Sequence, residues 1–138
     1  MIRAVFLDMF NTLCHFYPLR EERQVQSLAA EDITAEVEAL RHAYVKGDEY
    51  WTRENNRWPI QDREPEAKRQ FQTEYEQALL AAAGIEVPPD QALRIYQRYR
   101  ATDSKLVLYK EVLPTLGELR GRGLTLGLIS NIDFDVRP

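Results

Sequence analysis

Two short stretches hold residues whose types and spacing could do chemistry. Asp8-Met9-Phe10-Asn11-Thr12 closes the apolar run Ala4-Val5-Phe6-Leu7, and Ser130-Asn131 closes the run Leu124-Thr125-Leu126-Gly127-Leu128-Ile129. A carboxylate delivered by the end of a strand can attack a phosphorus or carbon centre and form a covalent intermediate. A serine hydroxyl can donate to a phosphate or carboxylate oxygen, and Asn131 adds a backbone N–H and an amide close by. Taken alone, Asp8 reads equally well as a residue capping a turn, and Ser130-Asn131 as an ordinary turn. Their weight comes from occurring together: two parallel strands joined by a crossover put both endings on one sheet edge, where open α/β sheets bind ligands.

The elements that must position them follow from the pattern. Short apolar runs ending abruptly in polar residues predict buried parallel strands over 2–7 and 124–129. A loop is expected from Asp8 to about Cys14, where Asn and Thr compete with regular backbone structure. Between the strands the sequence is helical. Leu19 to Ala30 has neither Gly nor Pro. A second helix carries Val37, Leu40, Tyr44 and Val45 at helical spacing, with Asp32 or Thr34 as its cap, and is expected to break at Asn55-Asn56 and Trp58-Pro59. Glu64-Pro65 starts a third, with the stripe Phe71, Tyr75, Ala78, Leu79, Ala82 and a stop at Gly84. Pro88-Pro89-Asp90 starts a fourth with Leu93, Tyr96 and Tyr99 on one face. After Thr102-Asp103-Ser104 the character changes, and a helix from about Glu111 to Arg122 precedes the last strand. The organisation is strand, helical insertion, helix, strand: residues 1–15 and 106–138 belong to an α/β core, and residues 16–105 to an inserted helical bundle.

Composition narrows the classes. The formal net charge of -4 and pI near 5.3 argue against nucleic-acid or membrane-surface partners. No apolar stretch approaches the roughly 18 residues of a membrane span. Cys14 is the single cysteine, so no internal disulfide forms and a cytoplasmic location fits. No His-Asn partner pattern supports Cys14 as a nucleophile.

The two strand endings resemble the motifs of the haloacid dehalogenase (HAD) superfamily of hydrolases. Its first motif is Asp-x-Asp-x-Thr, or Asp-x-Tyr-Gly-Thr in the dehalogenases proper, and stands here as Asp8-Met9-Phe10-Asn11-Thr12. Its second is a Ser or Thr ending a strand, often followed by Asn, here Ser130-Asn131. The run Leu113 to Leu124 is similar to the helix before that strand. The resemblance implies an α/β fold, an incomplete Rossmann-like parallel-sheet core with an inserted all-helical cap. It implies Asp8 as nucleophile, and Thr12, Ser130 and Asn131 as substrate- or phosphate-binding residues. In the family's phosphatases Mg²⁺ is held by the nucleophile and the backbone carbonyl two residues later, here Asp8 and Phe10, and by an acid of the fourth motif. Arg41 falls roughly where the dehalogenases place an arginine for the substrate carboxylate.

Phe10 replaces the second Asp, which in family phosphatases protonates the leaving group; dehalogenases have Tyr there and need neither that acid nor a metal. The family's third motif, a Lys, and its fourth, an acidic pair, lie downstream of Ser130, whereas no Lys follows Lys110. Asp133 and Asp135 come too soon after Ser130 to match the fourth motif. His15 reads as a surface or hinge histidine, and Trp51 and Trp58 as packing residues of the bundle. Forty-eight core residues also fall short of the roughly 100–150 of a doubly wound domain. The expectation is therefore an N-terminal part of a longer hydrolase, inactive alone, with self-association through its incomplete core. The expected activity is a Mg²⁺-dependent phosphatase of a small phosphorylated metabolite. The alternatives are a metal-free 2-haloacid dehalogenase acting on a halogenated substrate, and a non-catalytic binding protein on the same scaffold.

Overall fold

A computed structural model describes residues 2–130. The element order is β1 (Ala4–Leu7), β2 (Cys14–Tyr17), α1 (Arg20–Ala29), α2 (Val37–Arg57), a 3₁₀ turn (Ile60–Asp62), α3 (Pro65–Ala82), α4 (Pro89–Ala101), β3 (Lys105–Leu108), α5 (Val112–Gly121) and β4 (Thr125–Leu128). The chain divides into two compact units, one from the residues up to Tyr17 together with those from Ser104 on, the other Pro18–Asp103. It is an α/β chain with a partial Rossmann-like parallel sheet and an all-helical insertion. Among the described residues no helix is long and apolar enough to cross a membrane.

In the α/β unit, β1 and β4 pair in parallel, with Ala4 opposite Thr125 and Leu7 opposite Leu128. α5 packs on β4. The strands are not buried as their apolar runs predicted. Phe6 is 65% exposed and Leu128 49%, because among the described residues the sheet has only these two strands and little covers its faces. A second pair was not expected at all. β2 runs antiparallel to β3, Cys14 opposite Leu108 and Tyr17 opposite Lys105. The two segments that lead out of and back into this unit thus form one ribbon, and the predicted loop ends before Cys14.

The helical unit owes its stability to a shared core. Leu28 of α1, Leu40 and Tyr44 of α2, Leu79 and Leu80 of α3 and Ile95 of α4 form one buried cluster. Trp51 meets Phe71 and Tyr75 edge-on, at 4.8 and 5.3 Å between ring centroids, whereas Trp58 stays largely exposed. Gly47 sets the spacing of α2 and α3: a Cβ there would lie 3.0 Å from Leu79 Cδ1 and 3.3 Å from Leu79 Cβ. Truncating Leu79 to alanine opens a cavity at this closest approach. Leu79→Ala is expected to cost about 2–5 kcal/mol, read as a lower denaturation midpoint by far-UV circular dichroism. A cost below about 1 kcal/mol would mean that the helices collapse into the gap.

Local chemistry explains the ends. At the start of α1 the Leu19 N–H donates to Glu22 Oε2 at 2.8 Å; Leu19 has no side-chain oxygen for the reciprocal bond of a capping box. α3 stops at Gly84, where φ is +77° and Ile85 N–H donates to Leu80 O at 2.9 Å, a Schellman closure. Two expectations fail. Neither Asp32 nor Thr34 caps α2, which begins after Glu36 with no side-chain cap. Asn55-Asn56 does not break α2. Asn55 Oδ1 accepts from Ile60 N–H at 2.7 Å, and the Arg63 guanidinium donates to Glu54 O and Trp58 O. These bonds hold the helix end until Pro59. Val45 faces solvent rather than the core.

Candidate active site

β1 ends at Leu7, so the carboxylate of Asp8 stands exposed at the carboxyl end of the parallel pair. The loop that follows is closed by the Met9 carbonyl, which accepts from Leu13 N–H at 2.9 Å and from Cys14 N–H at 3.1 Å. Asn11 takes the left-handed backbone that such a tight reversal needs, at φ 56°, and asparagine tolerates it. Asn11 N–H donates to Cys14 O at 2.8 Å. This reversal carries Thr12 back to the strand end, where its hydroxyl donates to Asp8 Oδ2 at 3.2 Å.

The ladder runs one step past β4: Ile129 N–H donates to Leu7 O at 3.0 Å. Ser130 therefore leaves the sheet at the same end as Asp8. Its Oγ is buried and has no hydrogen-bond partner among the described residues. A buried hydroxyl without a partner costs free energy unless a ligand or water supplies one. The geometry thus sets one exposed carboxylate and one unsatisfied donor at a common sheet edge. Asn131, Asp133 and Asp135 lie outside the described residues.

Phe10 turns away from polar chemistry. Its ring stacks on Phe16 of β2 at 5.3 Å between centroids. Phe16 did not stand out in sequence because β2 itself was missed. Cys14 is buried, and burial, followed by the negative charge of Asp8, pushes its thiol up from the ordinary value. A thiol held neutral is a poor nucleophile. His15 is half-buried, its ring 4.9 Å from that of Tyr109. Arg41 belongs to the helical unit. It donates to Glu38 Oε2 at 2.7 Å and lies 3.8 Å from Glu21 Oε1, with about half of its side chain exposed.

A family model described as haloacid dehalogenase-like hydrolase matches residues 2–136. The chain belongs to the haloacid dehalogenase-like hydrolases. Comparison with curated proteins finds no match. The oxygen atoms that could face a metal ion beside β1 are the Asp8 carboxylate and the Phe10 carbonyl. Among the described residues no group of three His, Cys, Asp or Glu side chains stands close enough together to hold a metal ion. Mg²⁺ takes one or two protein carboxylates when substrate oxygens and waters complete its shell, a requirement that the chemistry of these two oxygen donors could meet in part.

Proposed function

We propose that the protein is a Mg²⁺-dependent phosphatase of small phosphorylated metabolites, with Asp8 as covalent nucleophile. The observation that carries this reading is that the exposed Asp8 carboxylate and the buried Ser130 hydroxyl, which has no hydrogen-bond partner among the described residues, lie at one end of the β1–β4 pair. Asp8 would attack phosphorus through Oδ1, since Oδ2 accepts from Thr12. The phosphorus–oxygen bond to the leaving group breaks, an aspartyl phosphate forms, and water then releases phosphate and restores the carboxylate. Ser130 would donate to a phosphate oxygen whose charge grows during transfer. Asp8 and the Phe10 carbonyl would hold Mg²⁺, which supplies the charge neutralisation that phosphoryl transfer needs. Phe10 offers no proton, so the leaving group takes one from water. A reducing cytoplasm suits the single buried thiol of Cys14.

One observation favours a second reading. The apolar stack of Phe10 on Phe16 leaves position 10 without an acid, and a halide leaves carbon without needing a proton. In that case Asp8 attacks the halogen-bearing carbon, the carbon–halogen bond breaks, and water hydrolyses the resulting ester. The deciding assay measures phosphate release from a generic ester with Mg²⁺ and with excess chelator, beside halide release from a 2-haloacid. Phosphate release lost in chelator supports the first reading. Halide release that survives chelator transfers the assignment to the second, and neither activity leaves a binding protein on the same scaffold. Ser130→Ala is expected to lower kcat about 10²-fold with the active substrate; a loss under about threefold removes Ser130 from the site.

A further inference from the structure

The helical unit buries a carboxyl group that no catalytic step uses. Glu76 of α3 is 1% exposed, as is Gln24 of α1. Gln24 Nε2 donates to Glu76 Oε1 in a short hydrogen bond, and Gln24 Oε1 accepts from the Tyr44 hydroxyl of α2 at 3.1 Å. The Tyr44 hydroxyl also lies 3.4 Å from Arg20 O of α1. A relay of three polar side chains thus crosses three helices beside the Leu40, Leu79 and Ile95 core.

The charges around Glu76 decide its state. The titratable groups that feel it are Tyr44 from α2, Tyr75 beside it on α3 and Tyr96 from α4. None of these is a cation. From α1 its partner is the neutral amide of Gln24. The arginines of α1 are engaged elsewhere: Arg20 donates to Asp48 and stacks over Tyr44, and Arg23 donates to the Tyr99 hydroxyl. A buried carboxylate with one amide donor and no cation is poorly compensated. Desolvation accordingly pushes the Glu76 carboxyl up to about 7, opposed only by the Gln24 hydrogen bond.

We propose that Glu76 is a proton-operated lock on the helical unit: protonated, it sits neutral at the end of the Gln24–Tyr44 relay across α1, α2 and α3; ionised, it leaves a buried charge met only by the Gln24 amide, and the bundle loosens. The direction follows from linkage. Below the ordinary carboxyl range both folded and unfolded chains hold the proton, and the lock is fully closed. Between that range and about pH 7 the folded chain keeps a proton that the unfolded chain has released, so stability falls as pH rises. Above that window the loss is complete. Carboxylates held low by arginine partners, Glu31 and Asp90 among them, act only at more acid pH.

The test uses the whole chain and its Glu76→Gln variant, in which the amide mimics the neutral carboxyl. Helical melting is followed by far-UV circular dichroism from about pH 5 to about pH 8. The wild-type Tm is expected to fall by roughly 5–15 °C across this range. The variant should lose much less and be the more stable of the two at the alkaline end. Parallel curves for the two proteins would overturn the proposal. A second measurement does not depend on the variant folding: carboxyl ¹³C resonances of glutamate-labelled wild type. One glutamate should titrate with a midpoint near neutrality, and its shift should move with the α3 amide signals. A set of glutamates that all titrate in the ordinary range would equally overturn the lock.

Discussion

Replacing Asp8 by asparagine is expected to remove turnover and leave the fold in place. The carboxylate is exposed, and its one hydrogen bond among the described residues comes from the Thr12 hydroxyl. An amide oxygen accepts that bond equally well, so the stability change should stay within about 0.5 kcal/mol, as for most exposed substitutions. The chemistry does not survive. An amide cannot form the covalent intermediate on phosphorus or on carbon, so both readings of the site make the same demand. The loss should fall between roughly 10³ and 10⁶ in kcat, the scale of removing a nucleophile from a working site. The check is a turnover assay beside a thermal melt of the same preparation. Activity within about tenfold of wild type, worth only ~1.4 kcal/mol of barrier, would sink the nucleophile assignment.

Phe10→Asp should separate the two chemistries. If the protein is a phosphatase lacking only its general acid, a carboxyl at position 10 supplies a proton to the leaving oxygen and then takes one from water. The expected gain in phosphate-ester turnover is about 10²–10⁴. Metal affinity should change little, because the proposed ligand at position 10 is a backbone carbonyl. The variant gives up the stack on Phe16, a contact worth roughly 0.5–1.5 kcal/mol beyond area burial, so a slightly lower Tm should accompany the gain. A dehalogenase gains no phosphatase activity from the change. A gain that persists in excess chelator would contradict the metal-dependent chemistry.

That Asp8 and Ser130 leave the sheet at one end was legible in the sequence because each closes an apolar run, and parallel pairing brings such ends together whatever lies between. The helices were legible for a similar reason, since their apolar spacing and their Pro and Gly boundaries are local. β2 and β3 were not. Each has four residues, and the ribbon exists only because Cys14–Tyr17 meets a partner beyond the whole helical unit; alternation over four residues is too short a signal. Asn55-Asn56 misled because its helix-breaking tendency is small beside the bonds that Asn55 and Arg63 make. Glu76 was hidden in a stripe of apolar neighbours, where nothing but its spacing from Leu79 and Leu80 marked it as facing inward. The exposure of β1 and β4 was misread because apolar content alone does not say how many layers cover a strand.

The pairing of Ala4 with Thr125 and of Cys14 with Leu108 also fixes an order of events during synthesis. β1 is made first, yet its partner is among the last described residues to emerge. All contacts of the helical cluster lie between these two, so they are far more local than the β1–β4 ladder. Local contacts form faster than distant ones, and chains mature from the N-terminus as they are made. The nascent chain should therefore carry a finished helical bundle while its first strand still waits, unpaired and rich in apolar side chains. Once formed, the bundle shortens the effective loop that β1 and β4 must close, and so lowers the entropy that opposes their meeting.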